Sequence, residues 1–130
     1  RATMRGLEQR DPRLVVVDRW VSREELLSAI SVVDVVAVPY PRHPGSASFL
    51  VQAVASGKPV LGADWGWIGH VIHRYGLGLA CDILNPDRLR AGIVWAFTAP
   101  RADPDGARAF ATAHTPERFQ AVVLGEAVTG

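Results

Sequence analysis

Apolar and polar positions along the chain fall into short blocks that alternate between two periods. Leu14-Val15-Val16-Val17 is a continuous β-branched run behind Asp11-Pro12, the pattern of a strand buried on both faces. Ser22-Arg23-Glu24-Glu25 reads as a capping box, in which the Ser22 hydroxyl accepts from the Glu25 amide while the Glu25 carboxylate reaches back to the Ser22 amide. The helix it opens carries Leu26, Leu27, Ile30 and Val33 on one face and runs to about Asp34. Val35-Val36-Ala37-Val38-Pro39 is a second buried strand, residues 59–63 are a third and residues 77–81 a fourth. Between them the pattern predicts a loop over 40–45, a helix over 46–56 closed by Gly57, a loop over 64–69 and a short helix over 68–75 closed by Gly76. Asn85-Pro86-Asp87 caps a further helix through about Phe97. Beyond a linker-like stretch at 98–106, helices are expected over 105–113 and over 116–128, the latter capped by Thr115.

Short apolar runs alternating with amphipathic helices predict an α/β fold, a Rossmann-like parallel sheet with helices on both faces. Residues 1–97 would form the sheet unit and residues 98–130 a helical C-terminal tail packed on it. The chain opens on Arg1, and its polar first ten residues run into the first apolar block without a start signal, so the sheet is expected to be incomplete on its N-terminal side. Composition narrows the function. Fourteen basic and thirteen acidic residues, for a formal charge of +1, give neither a basic face for nucleic acid nor a polybasic patch for a membrane. No apolar run approaches the roughly 20 residues of a transmembrane helix. The single cysteine, Cys81, sits in the fourth apolar run and cannot form an internal disulfide, which fits a reducing, cytoplasmic compartment.

Ligands of parallel α/β sheets bind at the carboxyl ends of the strands, which directs attention to residues 18–21, 39–46 and 64–69. Gly45-Ser46 lies between a strand end and a helix start, where unpaired first-turn amides, the helix dipole and the Ser46 and Ser48 hydroxyls suit a diphosphate. Arg42 and His43 are the nearby basic residues, so amides would carry much of the neutralisation; His43 reads first as a solvated loop histidine and otherwise as the titratable group to expect near such a ligand. The alternative is that Ser46 only caps its helix. His70 and His73 share a helix face but lack a third ligand, so no metal site is expected. Asp34 and Asp64 show no paired carboxylate for glycosidase chemistry, and Lys58 reads as a charge near a helix C-terminus.

The segment from Val33 to Val60 resembles the donor-binding core of GT-B glycosyltransferases, particularly glycosyltransferase family 4. The resemblance is carried by Val33-Asp34-Val35, Val38-Pro39-Tyr40, Pro44-Gly45-Ser46 and Gln52-Ala53-Val54-Ala55-Ser56-Gly57-Lys58-Pro59-Val60. It extends upstream through Val17 to Leu26 and downstream through Gly66, Gly69, Tyr75-Gly76-Leu77-Gly78, Asp82 and Phe119. It implies a lobe that binds a nucleoside diphosphate sugar and transfers the sugar, with retention and without a metal, to an acceptor held by a separate N-terminal domain. The site residues it implies are Tyr40, Gly45, Ser46 and Gln52, with Arg19 and Trp20 beside the nucleobase. Trp20 fits a core or helix-packing role as well, and Trp65 and Trp67 could face a sugar or staple the following helix.

Two departures qualify this picture. Where family 4 carries a pair of glutamates, on the donor sugar and on the ribose hydroxyls, this sequence has Pro44 and Gln52. Gln52 can still donate to and accept from a diol, without the charge that strengthens such bonds about twofold. The family's Arg and Lys pair on the leaving diphosphate has no counterpart here, so this chain alone is expected to be inactive. A rival expectation is a non-catalytic nucleotide-sugar or phosphate-binding module of the same fold. The implied strand order, 3-2-1-4-5-6, predicts that the last three strands pair in sequence while residues 15–17 stay apart from residues 35–38.

Overall fold

The computed structural model describes residues 4–45 and 47–115. Its elements run α1 (Met4–Arg10), α2 (Arg23–Val32), β1 (Val36–Val38), α3 (Ser48–Ala55), β2 (Val60–Ala63), α4 (Gly66–Tyr75), β3 (Gly78–Cys81), α5 (Pro86–Thr98) and α6 (Pro104–Ala113). The three strands form a parallel sheet in the order β1-β2-β3, with Val36 opposite Val60 and Val60 opposite Gly78. The fold is therefore the expected α/β class with strands that pair in sequence.

Strand alternation sends side chains to two different layers. A Cβ built on Gly62 would meet Ile68 and Ile72 of α4 and Val38 of β1, so one face lies against α4. On the other face, α5 approaches closely enough that a Cβ on Gly92 would meet Leu61 at 3.0 Å and the Cys81 sulfur at 3.2 Å. The main core lies on the α4 side and joins Ile30, Val38, Leu50, Val60, Ile72 and Leu77 with Phe110 of α6. Phe110 is fully buried, its ring stacked on His114 at 4.0 Å and edge-on to Tyr75 at 5.4 Å. Burial of such a ring contributes about 2–3 kcal/mol. Trp67 packs into this aromatic group as well, so it belongs to the core of α4 rather than to a ligand-facing loop.

Local signals set the helix ends. Ser22 and Glu25 form the capping box, with the Glu25 amide 3.1 Å from the Ser22 hydroxyl and the Ser22 amide 2.8 Å from the Glu25 carboxylate. Asn85 caps α5 by accepting from the Asp87 and Arg88 amides. Gly57, at φ 73°, ends α3 in a Schellman arrangement: its amide donates to Val54 and the Lys58 amide to Ala53, a turn that needs the left-handed conformation glycine adopts freely. The Lys58 ammonium reaches the Ser31 carbonyl at 3.1 Å, completing the C-terminal end of α2 rather than that of α3.

Several expectations need correction. Residues 14–17 form no strand: Val15 is 80% exposed, and the Val16 amide donates to Glu8 rather than to a neighbouring strand. An apolar run becomes a strand only when another strand takes its backbone groups, and none does so here among the described residues. Likewise α1 buries none of its residues. The helix after Gly45 begins at Ser48 with Ala47 as N-cap, and α4 begins at Gly66, two residues before its expected start at Ile68. The expected helix over 116–128 lies outside the described residues.

A candidate site at the carboxyl ends of the strands

All three strands end at one edge of the sheet, and the loops leaving them enclose a cleft of about 600 Å³. It is lined by Pro41 and Arg42 after β1, Asp64 and Trp65 after β2, and Asp82 and Leu84 after β3, among others. Open parallel sheets place ligands at this edge because the amino ends of their helices and the ends of their strands converge there. The β1 and β2 loops are fitted to one another at Gly66. With φ at 61°, and with a Cβ position only 2.9 Å from the His43 carbonyl oxygen, Gly66 lets the backbones pack where any side chain would collide.

Of the residues singled out from the sequence, Tyr40 and Gly45 lie in the β1 loop. Tyr40 ends the strand with its amide on the Val38 carbonyl and meets the His43 ring edge-on at 5.7 Å. Gly45 is exposed, and a Cβ there would lie 3.5 Å from the same imidazole. Ser46 lies outside the described residues. Ala47, the N-cap of α3, has no polar side chain, so among the described residues the amides at the start of that helix have no side-chain cap. Gln52 sits one turn beyond Ser48 on the same helix face, and its Oε1 is buried without a hydrogen-bond partner among the described residues.

Arg19 and Trp20 precede α2. Arg19 donates to the Glu25 carboxylate at 2.8 and 3.3 Å and to the Trp20 carbonyl at 3.1 Å. Trp20 is 93% exposed, which overturns a core or helix-packing role and leaves an indole with both faces open. The described contacts connect this pair to the first turn of α2, whereas Tyr40, His43, Gly45 and Gly66 meet one another.

The structure also reveals pairings and conformations at the site that sequence patterns did not give. Asp64 does have a partner: its carboxylate lies 3.0 Å from His73 Nε2, two turns into α4. Asp82 accepts from the Leu84 amide at 3.1 Å in a turn after β3. Between them the Cys81 thiol is pushed up from its ordinary value, first by burial and then by the Asp64 and Asp82 charges, so it stays protonated at neutral pH. Arg42 has φ 52°, the positive-φ residue other than glycine among the described residues. Its guanidinium carries no hydrogen bond or ion pair among those residues. His73 was legible as a residue on a helix face, but its pairing depends on how α4 folds back beside Asp64.

This edge can therefore donate hydrogen bonds from the helix start and Arg42, accept them at Gln52, Asp64 and Asp82, and offer the Trp65 ring, which is 48% exposed. Such a mixture suits a ligand that combines anionic and hydroxyl-bearing parts. Among the described residues there is no group of three or more His, Cys, Asp or Glu side chains arranged for a metal ion. No described helix is long and apolar enough to cross a membrane. No protein-family model matches the sequence, and neither does any curated protein.

Proposed function

We propose that this chain is the donor-binding lobe of a glycosyltransferase of GT-B type, which holds a nucleoside diphosphate sugar for transfer to an acceptor carried by another domain. The observation that supports it most directly is Gln52. A buried amide oxygen left without a partner costs about 1–3 kcal/mol, and this one lies on the helix that follows the β1 loop, where the family resemblance implies a ribose-binding acid. A ribose hydroxyl is a donor of the kind this oxygen lacks. The diphosphate would take the uncapped amides of α3, and the sugar the Asp64–Asp82 side of the cleft.

A thermal-shift titration with UDP, GDP and ADP tests the reading. At about 100 times its dissociation constant, a nucleotide that binds only the folded state adds roughly 2.7 kcal/mol. Gln52→Leu should raise the melting temperature of the free protein, because an orphaned polar atom is removed, and should reduce the nucleotide-induced rise. Gln52→Glu should do the opposite, lowering the free protein's melting temperature while enlarging the nucleotide's effect. If none of the three nucleotides shifts the folded protein, the donor-lobe reading fails. The rival, a non-catalytic phosphate-binding module, then gains, and the replacement of both family glutamates by Pro44 and Gln52 already speaks for it.

A further inference from the structure

Pro41 and Arg42 are the central residues of the turn that leaves β1. Proline first and a positive φ second is the pattern of a type II turn, whose second position strongly favours glycine or asparagine. Here that position holds an arginine at φ 52°. The chain therefore keeps a long cationic side chain where the backbone disfavours it. Strain of this kind persists where surrounding structure enforces it, and the setting does so: Pro39, Pro41 and Pro44 restrict the loop, and Gly66 packs against its His43 carbonyl.

Arg42 also stands where the cleft changes sign. The acidic groups lie after β2 and β3, and each is engaged, Asp64 with His73 and Asp82 with the Leu84 amide. Arg42 lies on the β1 side, in the same loop that leads to the uncapped start of α3. A full positive charge thus stands at one end of the cleft, in the loop that leads on to α3, while the other end is acidic.

We infer that Arg42 is the cationic contact of this site, its guanidinium donating paired N–H bonds to the oxygens of a phosphorylated ligand. The inference rests on the proposed reading in taking those oxygens to be the donor's diphosphate. Arginine suits the role because its planar fork meets two phosphate oxygens at once. Strain at the turn is retained because relieving it would remove the charge.

Two substitutions separate backbone from charge. Arg42→Asn tolerates the left-handed conformation but carries no charge, whereas Arg42→Lys keeps the charge and the strain but loses the fork. Binding of inorganic pyrophosphate and of UDP, GDP and ADP would be measured by calorimetry on each, alongside the melting temperature. Arg42→Asn is expected to melt about 2–4 °C higher yet bind pyrophosphate and nucleotide at least ~10-fold more weakly. Arg42→Lys is expected to melt as the parent does, with a loss of about threefold. If the parent binds a nucleotide and Arg42→Asn binds it equally well, Arg42 is not the contact, although the donor-lobe reading survives. If pyrophosphate binds through Arg42 and no nucleoside adds to it, Arg42 stands and the donor-lobe reading falls. Failure of the parent to bind any of these probes overturns both, and a lower melting temperature for Arg42→Asn would show that the arginine is there for the fold.

Discussion

Two regions of this molecule carry similar apolar sequence and meet different fates. Val36 and Val38 in β1 are buried, whereas Val15 and Val17, in an equally β-branched run, are 80% and 58% exposed. Propensity does not distinguish them. The difference is that β1 has β2 beside it and α3 packed against it, while among the described residues no strand pairs with residues 14–17. Burial in a parallel sheet is a property of the neighbours rather than of the run itself. The core extends from Ile30 of α2 through β1 and α4 to Phe110 of α6; the arm that precedes α2 is fastened by the capping box, an ion pair and the Val16 amide on the Glu8 carboxylate.

The largest effect expected from this contrast is on stability. Phe110→Ala removes a fully buried ring from the α6 contact with α3 and α4 and should cost about 3–5 kcal/mol in urea unfolding. Trp20→Ala removes a larger side chain from the arm and should change stability by no more than about 0.5 kcal/mol. Comparable losses at both positions would mean that the arm is packed in solution and that the contrast is false.

Association gives a smaller but independent test. Along β1, on the face that α5 leaves open, lies an apolar groove of about 660 Å³ lined by Val33, Val35, Ala37, Leu61, Ile93 and Phe97. Phe97 is 86% exposed, and the strand edge beside the groove is unpaired among the described residues. Open edges flanked by apolar surface recruit other chains. The protein should self-associate at about 100 μM in light scattering, and Phe97→Asp should suppress this with little change in unfolding free energy. If Phe97→Asp leaves the association unchanged, that groove is not the surface responsible.

How legible these regions were follows from the range of the forces involved. The Ser22 box, the Asn85 cap and the glycine stops at Gly57 and Gly76 depend on residues a turn apart, and each forms where its pattern stands. The three paired strands were legible because each lies between helices in a repeating unit. Residues 14–17 were misread because their pattern specifies a strand only if a partner exists. At the site, the loops were identifiable from topology. The Asp64–His73 pair was not, because it depends on the path of α4. Nor was the strained turn at Arg42, since nothing in Pro41-Arg42 announces a positive φ on arginine.

The smallest expected effect concerns how the arm is fastened. Glu25 accepts from Arg19 and from the Ser22 amide, and these bonds, the Arg19 one first, lower its carboxyl from the ordinary 4.5 to about 2. A carboxyl whose folded value is depressed stabilises the fold at pH above its unfolded value, and that contribution is lost as pH falls through the folded one. The cap should therefore weaken from about pH 4.5 downward and be lost near pH 2. Its weight is small, because Arg19 and Glu25 are both open to water, which screens the pair. No charged residue is buried among the described residues, so the core offers no matching transition of its own. In an NMR titration the Ser22 amide should follow the Glu25 carboxyl, with a midpoint well below the ordinary glutamate value, while the Phe110 ring signals stay fixed over the upper part of that range. Arg19→Ala should raise the midpoint without restoring it fully, since the Ser22 amide still favours the charged form. A midpoint at the ordinary value in the parent protein would show that the box is open in solution, and the arm would then lack even this anchor.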